Sequence, residues 1–341
     1  MRKVTINDIC REAGVSICTV SKVLNNKPKV GAKTRAKVLA VIKRLNFTPN
    51  AAARNLSQRR TDTIGVIFPR YGRGMFAQLL NGIEEVTQPR NLYILAISST
   101  DAAGEVKPYE VALRVLREQR VDGIILCNPV LSDEQVRHLK KSEIPVVVTD
   151  RLSANPTLSG VFYDSYQGGY EATKHLIDHG FTRIANLTGP LKWESARERL
   201  RGYKTALRDY SLRVDPQLIV EGTWGIHPST ANFVEHFRDI EWPEAAVVAN
   251  DDMALGLLRY TVTHRDKRIR STAVVGFDDV EPAMFTGLTT LRGPIEEWGR
   301  RLATLLLEVI EEKPQRPRIV HLPVQLVIRT SCGCAGSLRV M

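Results

Sequence analysis

The chain has 341 residues, which is too long for one ordinary hydrophobic core and fits two or three domains of about 100 to 200 residues each. Apolar residues make up 43% and charged residues 25%, a balance typical of globular proteins and not of disordered, collagenous or membrane chains. The net charge is +11, so a polyanionic partner has to be considered.

The positive charge is concentrated at one end of the chain. Residues 1–60 hold 14 basic side chains and only two acidic ones, Asp8 and Glu12, for a net charge of +12. The remaining residues have a net charge of −1. A solvated charge run is one interpretation, but basic residues spread through an apolar-periodic segment favour a folded nucleic-acid-binding domain.

Two features indicate a cytoplasmic location and no membrane contact. The sequence has no run of about 18 apolar residues and no signal-peptide-like start. The five cysteines are an odd number without a regular framework, which indicates reduced thiols. Cys332 and Cys334 have no His or Cys pair near them at zinc-ligand spacing, so we predict no metal site.

Helix signals come early in the basic segment. Thr5 and Asp8 have the pattern of a capping box, and Gly14 ends the first predicted helix. Ser16 is a good N-cap for a second helix, whose inward stripe would be Val20, Val23 and Leu24. Two short helices joined by a glycine-containing turn predict a helix-turn-helix. A third helix from about Ala32 would close an all-α core, with basic side chains available to phosphates.

The same residues resemble the LacI/GalR (lac repressor) family of bacterial transcription regulators. The similarity is carried by the segments Val4-Thr-Ile-x-Asp-Ile9, Ala13-Gly14-Val15-Ser16, Thr19-Val20-Ser21-Lys22-Val23-Leu24-Asn25, Asn46-Phe-x-Pro49-Asn50 and Ala53-Arg54-x-Leu56. The resemblance implies that Ile17, Cys18 and Lys22 of the recognition helix read operator bases. Family members more often have polar residues at the first two positions, so the operator sequence does not carry over.

The resemblance also implies a hinge helix over residues 50–57 that forms on DNA. Leu56 lies where the family inserts a leucine between base pairs and kinks the duplex, although a packing role within a linker is the alternative. The full set of predicted DNA-contacting residues is Thr5, Ser16, Ile17, Cys18, Thr19, Ser21, Lys22, Asn25, Lys29, Thr34, Asn50, Ala53, Arg54 and Leu56.

From Thr63 onward short apolar runs alternate with helical stretches, which predicts α/β lobes with parallel sheets. About nine strands over this length indicate two doubly wound lobes, and the pattern resembles the periplasmic-binding-protein type I fold up to about residue 332. We predict a helix-turn-helix domain over 1–49, a hinge and linker over 50–60, a two-lobed effector-binding and dimerisation domain over 61–332, and a tail over 333–341.

Ligands of such sheets bind beyond the carboxyl ends of the strands, where this sequence places many carboxylates and amides. Such groups suit vicinal hydroxyls, and an aromatic face suits a sugar ring. With the resemblance, the predicted effector-binding residues are Arg70, Phe76, Asp150, Arg197, Trp224, Asn250 and Asp278. Two alternatives stay open: strand-end Asp and Asn residues often cap the next helix, and Phe76 is as well suited to packing. Asp279 is expected to stabilise its lobe.

Arg70 and Arg73 lie near a helix start, where an anionic group of a phosphorylated or acidic sugar would be stabilised. The segment Gly72-x-Gly74-x-x-Ala77 also fits a dinucleotide fingerprint, with Asp101 as the acidic partner, so a nicotinamide-dinucleotide enzyme or redox sensor is a competing class. The fit is poor because residues 69–71 separate the first glycine from the strand and Asp101 comes late. No catalytic arrangement and no cofactor is predicted.

These observations predict a sequence-specific DNA-binding regulator, a repressor, controlled by a small-molecule effector that is a sugar or sugar derivative. Only seven residues, 335–341, follow Cys334, and no heptad segment is among them. We therefore expect a homodimer on a pseudo-palindromic operator. An architectural DNA binder is the other alternative, which leaves the near-neutral 270-residue body unexplained.

Overall fold

The structure is a computed structural model, and it describes residues 4–24, 27–47, 60–69, 74–101, 105–127, 129–150 and 157–334. The chain divides into two compact units, Met1–Asp62 and Thr63–Met341. Within the described residues, no helix is both long enough and apolar enough to span a bilayer.

The first unit contains three helices within its described part, α1 (Ile6–Ala13), α2 (Ile17–Leu24) and α3 (Ala32–Arg44). The carboxylate of Asp8 accepts hydrogen bonds from the backbone N–H and the hydroxyl of Thr5 at 2.9 and 2.8 Å, which fixes the start of α1. Gly14 ends α1 with φ at 61°, a left-handed conformation that glycine adopts without steric cost. The Ser16 hydroxyl accepts from the N–H of Thr19 and so caps α2.

The three helices share one small core. Its buried members are Ile9, Ala13, Val20, Val23, Val38 and Val41. The predicted inward stripe of α2 is therefore confirmed, with Leu24 partly buried against the same core. The sequence-predicted helix-turn-helix and its closing third helix are both present.

The second unit is built from two lobes. The strands of lobe 1 are β1 (Thr63–Phe68), β2 (Tyr93–Ser98), β3 (Gly123–Leu126), β4 (Val146–Val148), β5 (Ser159–Tyr163) and β11 (Ile319–Leu322). The strands of lobe 2 are β6 (Ile184–Thr188), β7 (Ile219–Glu221), β8 (Ala245–Val248), β9 (Ala273–Phe277), β10 (Thr289–Arg292) and β12 (Gln325–Val327). The sheet orders are β11-β5-β4-β3-β1-β2 and β12-β10-β9-β8-β6-β7.

Helices cover both sheets. In lobe 1 they are α4 (Gly74–Thr87), α5 (Pro108–Arg117), α6 (Asp133–Lys140) and α13 (Ile295–Glu312). In lobe 2 they are α7 (Ser165–Asp178), α8 (Glu194–Asp209), α9 (Ile226–His236), α10 (Asp251–Thr263), α11 (Lys267–Arg270) and α12 (Glu281–Thr286). When each order is read from its other end and the strands are renumbered within the lobe, both sheets have the order 2-1-3-4-5-6. Each sheet therefore has a point where the strand order reverses, and ligands of doubly wound sheets bind there.

The chain passes between the lobes three times. Asp164 links β5 to α7, residues 293–294 link β10 to α13, and residues 323–324 link β11 to β12. Among the strands that the structure describes, all pairs are parallel except β10 with β12, which is antiparallel and so departs from the purely parallel expectation. The last three strands, β10 to β12, were not among the nine predicted.

Each lobe contains a pair of helices that approach closely through two facing glycines. A Cβ added at Gly82 of α4 would lie 1.9 Å from the carbonyl oxygen of Glu296, and one at Gly299 of α13 would lie 2.2 Å from that of Leu79. In lobe 2 the corresponding glycines are Gly169 of α7 and Gly202 of α8, and an added Cβ would meet a backbone oxygen at 2.1 Å in both cases. These helix pairs therefore pack backbone against backbone, which only glycine permits.

Candidate functional site

The exposed face of α2 brings together the three residues predicted to read bases. Ile17 and Cys18 are exposed, with 53% of Ile17 accessible, and Lys22 is the basic residue of the last turn of α2. An exposed apolar side chain suits a contact with a thymine methyl, and an exposed lysine suits a hydrogen bond to a guanine edge. Their roles in DNA binding stay predictions.

The other predicted DNA contacts have varied surroundings. Thr5 and Ser16 are used in helix caps, and the Thr19 hydroxyl lies 3.0 Å from that of Ser16. Lys29 is exposed, whereas Ser21 and Thr34 are half-buried. Predictions for Asn25, Asn50, Ala53, Arg54, Leu56 and Arg70 fall outside the described residues.

A cavity of about 610 Å³ lies in the second unit, lined by residues of both lobes at the carboxyl ends of their strands. Five predicted effector residues line it: Phe76, Asp150, Trp224, Asn250 and Asp278. The structure thus brings together residues that are up to 202 positions apart in the sequence. The volume of the cavity lies within the range of about 300 to 1,000 Å³ that small-molecule sites occupy.

Arg199 and Asp278 form the charged floor of the cavity. Both are buried, at 9% exposure each, and Arg199 Nη2 lies 4.0 Å from Asp278 Oδ1. The guanidinium also donates to the carbonyl oxygen of Ala249, and its Cζ lies 3.4 Å from the centroid of the Phe277 ring. Burial lowers the pKa of Arg199, while the nearby carboxylates oppose this shift. The pair presents a donor and an acceptor side by side.

Two buried polar atoms at the cavity have no hydrogen-bond partner among the described residues. They are the hydroxyl oxygen of Tyr163 and Nε of Arg199. Burial raises the pKa of Tyr163 well above its ordinary value, with the charge of Asp278 adding to the shift, so the group is a neutral phenol donor. Since buried polar groups in native proteins nearly always have partners, these two atoms indicate where a polar ligand binds.

Arg197 does not line the cavity, although it was predicted to bind the effector. Its side chain is half-exposed, and its guanidinium donates to the carbonyl oxygen of Leu191 at 2.7 Å and to the carboxylate of Glu194. Residues two apart on a helix point in different directions, and Arg199 is the one on the inward face of α8. The signal was present in the sequence, since Arg199 falls in the stripe of Ala196, Leu200, Tyr203 and Leu207.

Asp150 closes one side of the cavity. Its Oδ1 accepts from the N–H of Ser195 at 2.7 Å, and its backbone has φ at 53°, a conformation that Asp and Asn tolerate better than most residues. Burial raises the pKa of Asp150 to about 6, against the opposing effects of Ser195 and Arg199. Asp150 therefore keeps its proton to a higher pH than an exposed aspartate does.

Aromatic rings form the apolar walls. Trp193 and Trp224 meet edge to face with centroids 6.5 Å apart, and Phe76 stacks on Phe68 at 5.3 Å. Phe76 is only 4% exposed, so its side chain both packs in the core and lines the cavity. Five further aromatic residues line the cavity and were not predicted from the sequence: Phe162, Tyr163, Tyr166, Trp193 and Trp298.

The neighbouring acidic and amide residues have structural roles. Asn250 Oδ1 caps α10 by accepting from the N–H of Met253, which leaves its amide NH₂ as the remaining polar group. Asp251 is fully buried and accepts from the Thr290 hydroxyl at 2.6 Å and the N–H of Val280 at 3.0 Å. Asp279 accepts from Arg292 and Arg329, which agrees with its predicted role within the lobe.

Replacing Asp150 with asparagine is expected to change how stability depends on pH. Because the folded pKa of about 6 lies above the ordinary value of 3.8, the contribution of this carboxyl is fully present below about pH 4 and is lost as the pH rises through 6. Asparagine keeps the acceptor for Ser195 and has no charge. The free energy of unfolding of the variant relative to the parent should rise by about 2 kcal/mol between pH 4 and 7.5.

Urea unfolding at a series of pH values measures this difference. The matched control is Asp239→Asn, which changes an exposed aspartate of the same unit. A difference between the Asp150→Asn variant and the parent that stays constant from pH 4 to 7.5 would contradict the assigned titration.

The structure gives little support to the alternative that the chain is a dinucleotide-binding enzyme or redox sensor. Gly74 is the first residue of α4, whereas Gly72 and Arg73 lie outside the described residues. Asp101, the acidic residue needed for a ribose, has its carboxylate 2.7 Å from Lys107 Nζ.

Both parts of the chain match models of known families. Residues 5–50 match "Bacterial regulatory proteins, lacI family", and residues 61–330 match "Periplasmic binding proteins and sugar binding domain of LacI family". The chain is 32% identical over 331 residues to the HTH-type transcriptional repressor PurR of Photobacterium profundum, covering 96% of this chain and 98% of that protein. It is 33% identical over 331 residues to the catabolite control protein A of Priestia megaterium, covering 96% and 99%.

Solved structures show the same similarity. The lac repressor dimer bound to operator and the anti-inducer ONPF has a TM-score of 0.84 at 28% identity, with 97% of this chain and 99% of that chain covered. The transcriptional regulator CelR in complex with cellobiose has a TM-score of 0.70 at 27% identity, with 96% and 100% covered.

Proposed function

The chain belongs to the LacI family of bacterial regulatory proteins, and we propose that it is a repressor that binds a pseudo-palindromic operator as a homodimer and responds to a carbohydrate effector held in the cavity. It is an effector-controlled DNA-binding regulator with a helix-turn-helix unit and a two-lobed α/β body. We place its function in the bacterial cytoplasm at DNA and assign it no catalytic role. We propose that residues 1–49 bind DNA, residues 50–60 form the hinge and linker, residues 61–332 bind the effector and form the dimer, and residues 333–341 are a tail.

The chemistry of the cavity supports a carbohydrate effector. The Tyr163 hydroxyl and Arg199 Nε, which have no hydrogen-bond partner in the described part of the chain, are the observation that carries the proposal, because they supply donors beside the acceptor Asp278. A sugar offers vicinal hydroxyls that both donate and accept, so it satisfies such a set. The ring of Trp224 supplies an apolar face for the C–H side of the sugar. Of the solved structures that resemble this chain, a lac repressor was solved with ONPG and CelR with cellobiose.

The position of the cavity supports control of DNA binding. Its lining residues come from both lobes, so an effector that contacts Asp150 of lobe 1 and Asp278 of lobe 2 favours one relative arrangement of the lobes. In a dimer, that arrangement sets the spacing of the two hinge segments and hence the affinity for a two-fold symmetric operator. A coupling free energy of about 1 to 3 kcal/mol gives a roughly 5- to 150-fold change in operator affinity.

A thermal-shift screen of the full chain against sugars, sugar phosphates and NAD(H) tests the effector class. A ligand present at about 100 times its dissociation constant stabilises the native state by about 2.7 kcal/mol and raises the melting temperature. We expect a sugar or sugar derivative to do so. A shift with NAD(H) and with no carbohydrate would replace the proposal with the dinucleotide class.

Footprinting on genomic DNA tests the operator. We expect protection of discrete sites with two-fold symmetric halves, because a homodimer presents two recognition helices related by a two-fold axis. Protection spread evenly along the DNA would instead favour an architectural DNA binder.

Leu56→Ala is expected to weaken operator binding about tenfold or more. The leucine is proposed to insert between base pairs of the bent operator, and alanine is too short to support the unstacked bases. Leu56 lies outside the described residues, so this prediction rests on the sequence. Fluorescence anisotropy with a footprinted operator measures the affinity, with Leu39→Ala as the control because Leu39 is an exposed leucine on α3. Equal affinity of the Leu56→Ala variant and the parent would refute the insertion.

A further inference from the structure

Two histidines and two cysteines meet in lobe 2, and none of them lines the cavity. His175 lies on α7 and His179 follows the last turn of that helix, while Cys332 and Cys334 belong to the segment that follows β12. No metal site was predicted from the sequence because no histidine pair lies near the cysteines in the chain. We propose that these four side chains bind a zinc ion that fastens the segment after β12 to α7.

The ligand atoms of His175, Cys332 and Cys334 all lie within 4.8 Å of one another, and His179 contacts this group through Cys334. Cys334 Sγ lies 2.8 Å from His179 Nε2, 3.9 Å from His175 Nε2 and 3.1 Å from Cys332 Sγ. In a tetrahedral zinc site with Zn–S of about 2.3 Å and Zn–N of about 2.0 Å, the S–S and S–N separations are about 3.8 and 3.5 Å. Each of the three contacts differs from these values by less than about 1 Å. The group of His175, Cys332 and Cys334 is therefore close to zinc geometry, and the side chain of His179 has to turn toward this group to complete the four ligands.

The surroundings prepare the ligands for a metal. The ring Nδ1 of His179 lies 2.7 Å from the carbonyl oxygen of His175. With the proton on Nδ1, the ring donates to that oxygen, so the lone pair of Nε2 faces the thiol of Cys334. The Thr289 hydroxyl lies 3.1 Å from Cys332 Sγ and accepts from the N–H of Arg329, so its own hydrogen is available to the sulfur. Such second contacts orient metal ligands and stabilise a thiolate.

The ligand set selects zinc and a structural role. Two thiolates and two imidazoles form the soft, four-ligand set that zinc prefers over magnesium or calcium, and four protein ligands leave no open position for catalysis. The five cysteines are free thiols in the structure, Cys332 and Cys334 among them. His175 and Cys332 are buried, whereas His179 is exposed, so the ion has a route from solvent and one dry side.

Metal analysis of the full-length protein tests the proposal. The protein is stripped with a chelator under reducing conditions, returned to Zn²⁺ or Co²⁺ alone, and assayed by elemental analysis and visible absorption. We expect one zinc per chain, and with cobalt the intense bands of a tetrahedral site plus a thiolate-to-cobalt charge-transfer band. Zinc should also raise the melting temperature by several degrees, since it binds the native state.

The variants Cys334→Ser and His179→Asn each remove one ligand outside the buried core. Each should lower zinc affinity on the order of 100-fold and abolish the charge-transfer band or shift its energy. The matched controls are Cys18→Ser and His236→Asn, which change an exposed cysteine and an exposed histidine elsewhere and should keep one zinc. Folding of every variant is checked by circular dichroism.

Three results would overturn the proposal. One is a reduced, folded protein that takes up no zinc or cobalt at micromolar metal. Another is full zinc retention in both ligand variants. The third is a protein of native mass lower by two hydrogens with no metal uptake, which would identify Cys332 and Cys334 as a redox pair. None of these results would affect the proposed effector site, because the four residues lie outside the cavity.

Discussion

Asp278→Ala is expected to abolish the effector response while leaving operator binding intact. The carboxylate is buried beside Arg199 on the cavity floor, where a hydrogen bond from a sugar hydroxyl to a charged acceptor is worth about 1.5 to 3 kcal/mol. Its loss also leaves Arg199 with one fewer opposite charge. Effector affinity should therefore fall about 10- to 150-fold, and operator affinity without effector should stay within about twofold.

Operator titrations with and without effector measure both quantities. Asp278 has φ at 113°, so alanine introduces backbone strain, and Asp278→Asn is the companion variant because asparagine tolerates positive φ better. Asparagine keeps a neutral acceptor and should retain part of the affinity. Asp239→Ala is the surface control. An Asp278→Ala variant that is released from operator at the parent's effector concentration would disprove the role of the carboxylate.

Gly169→Ala is expected to lower the free energy of unfolding by about 3 kcal/mol and to weaken effector binding as well. The new Cβ would lie 2.1 Å from the carbonyl oxygen of Arg199, so α7 and α8 must move apart. Overpacking of this kind usually costs about 1 to 3 kcal/mol, and a backbone atom yields less than a side chain. The movement displaces Arg199 itself, which links the packing of two helices to the cavity floor.

Chemical denaturation and effector titration of the same samples test both parts. The control is Gly65→Ala in β1, where an added Cβ finds its nearest atom, Val121 Cγ1, at 3.4 Å, an ordinary contact. Gly202→Ala should behave as Gly169→Ala does, since its Cβ would meet the carbonyl oxygen of Tyr166 at 2.1 Å. A stability loss in Gly169→Ala no larger than in Gly65→Ala would show that α7 and α8 are more tolerant than their spacing indicates.

Much of the fold was predictable because burial leaves a clear pattern. The central strands are continuous apolar runs, and β9 was predicted with its observed bounds, Ala273–Phe277. The strands that were missed carry a different signal. Thr289 and Thr290 of β10 are fully buried, but their hydroxyls bond to Cys332 and Asp251, so a polar sequence occupies a core position. The edge strands β11 and β12 are only partly buried and lie on either side of Pro323.

Cavity residues could be predicted from the sequence where the strand order alone determines their position. Asp150, Asn250 and Asp278 follow strands that end at the cavity, and the doubly wound order brings those ends together. Arg199 was missed because a two-residue difference on a helix changes which face a side chain occupies. The approach of His175 to Cys334 depends on α7 lying beside β12, a long-range contact that local spacing does not encode.

The three passages between the lobes determine the order in which the protein is completed during synthesis. Lobe 1 begins at β1, but α13, which covers Gly82 of α4, and β11, which pairs with β5, follow almost all of lobe 2 in the chain. A nascent chain that has reached only residue 292 therefore exposes the edge of β5 and the apolar face of α4. Slow or interrupted translation at this stage leaves surfaces that favour aggregation until residues 293–322 have emerged from the ribosome.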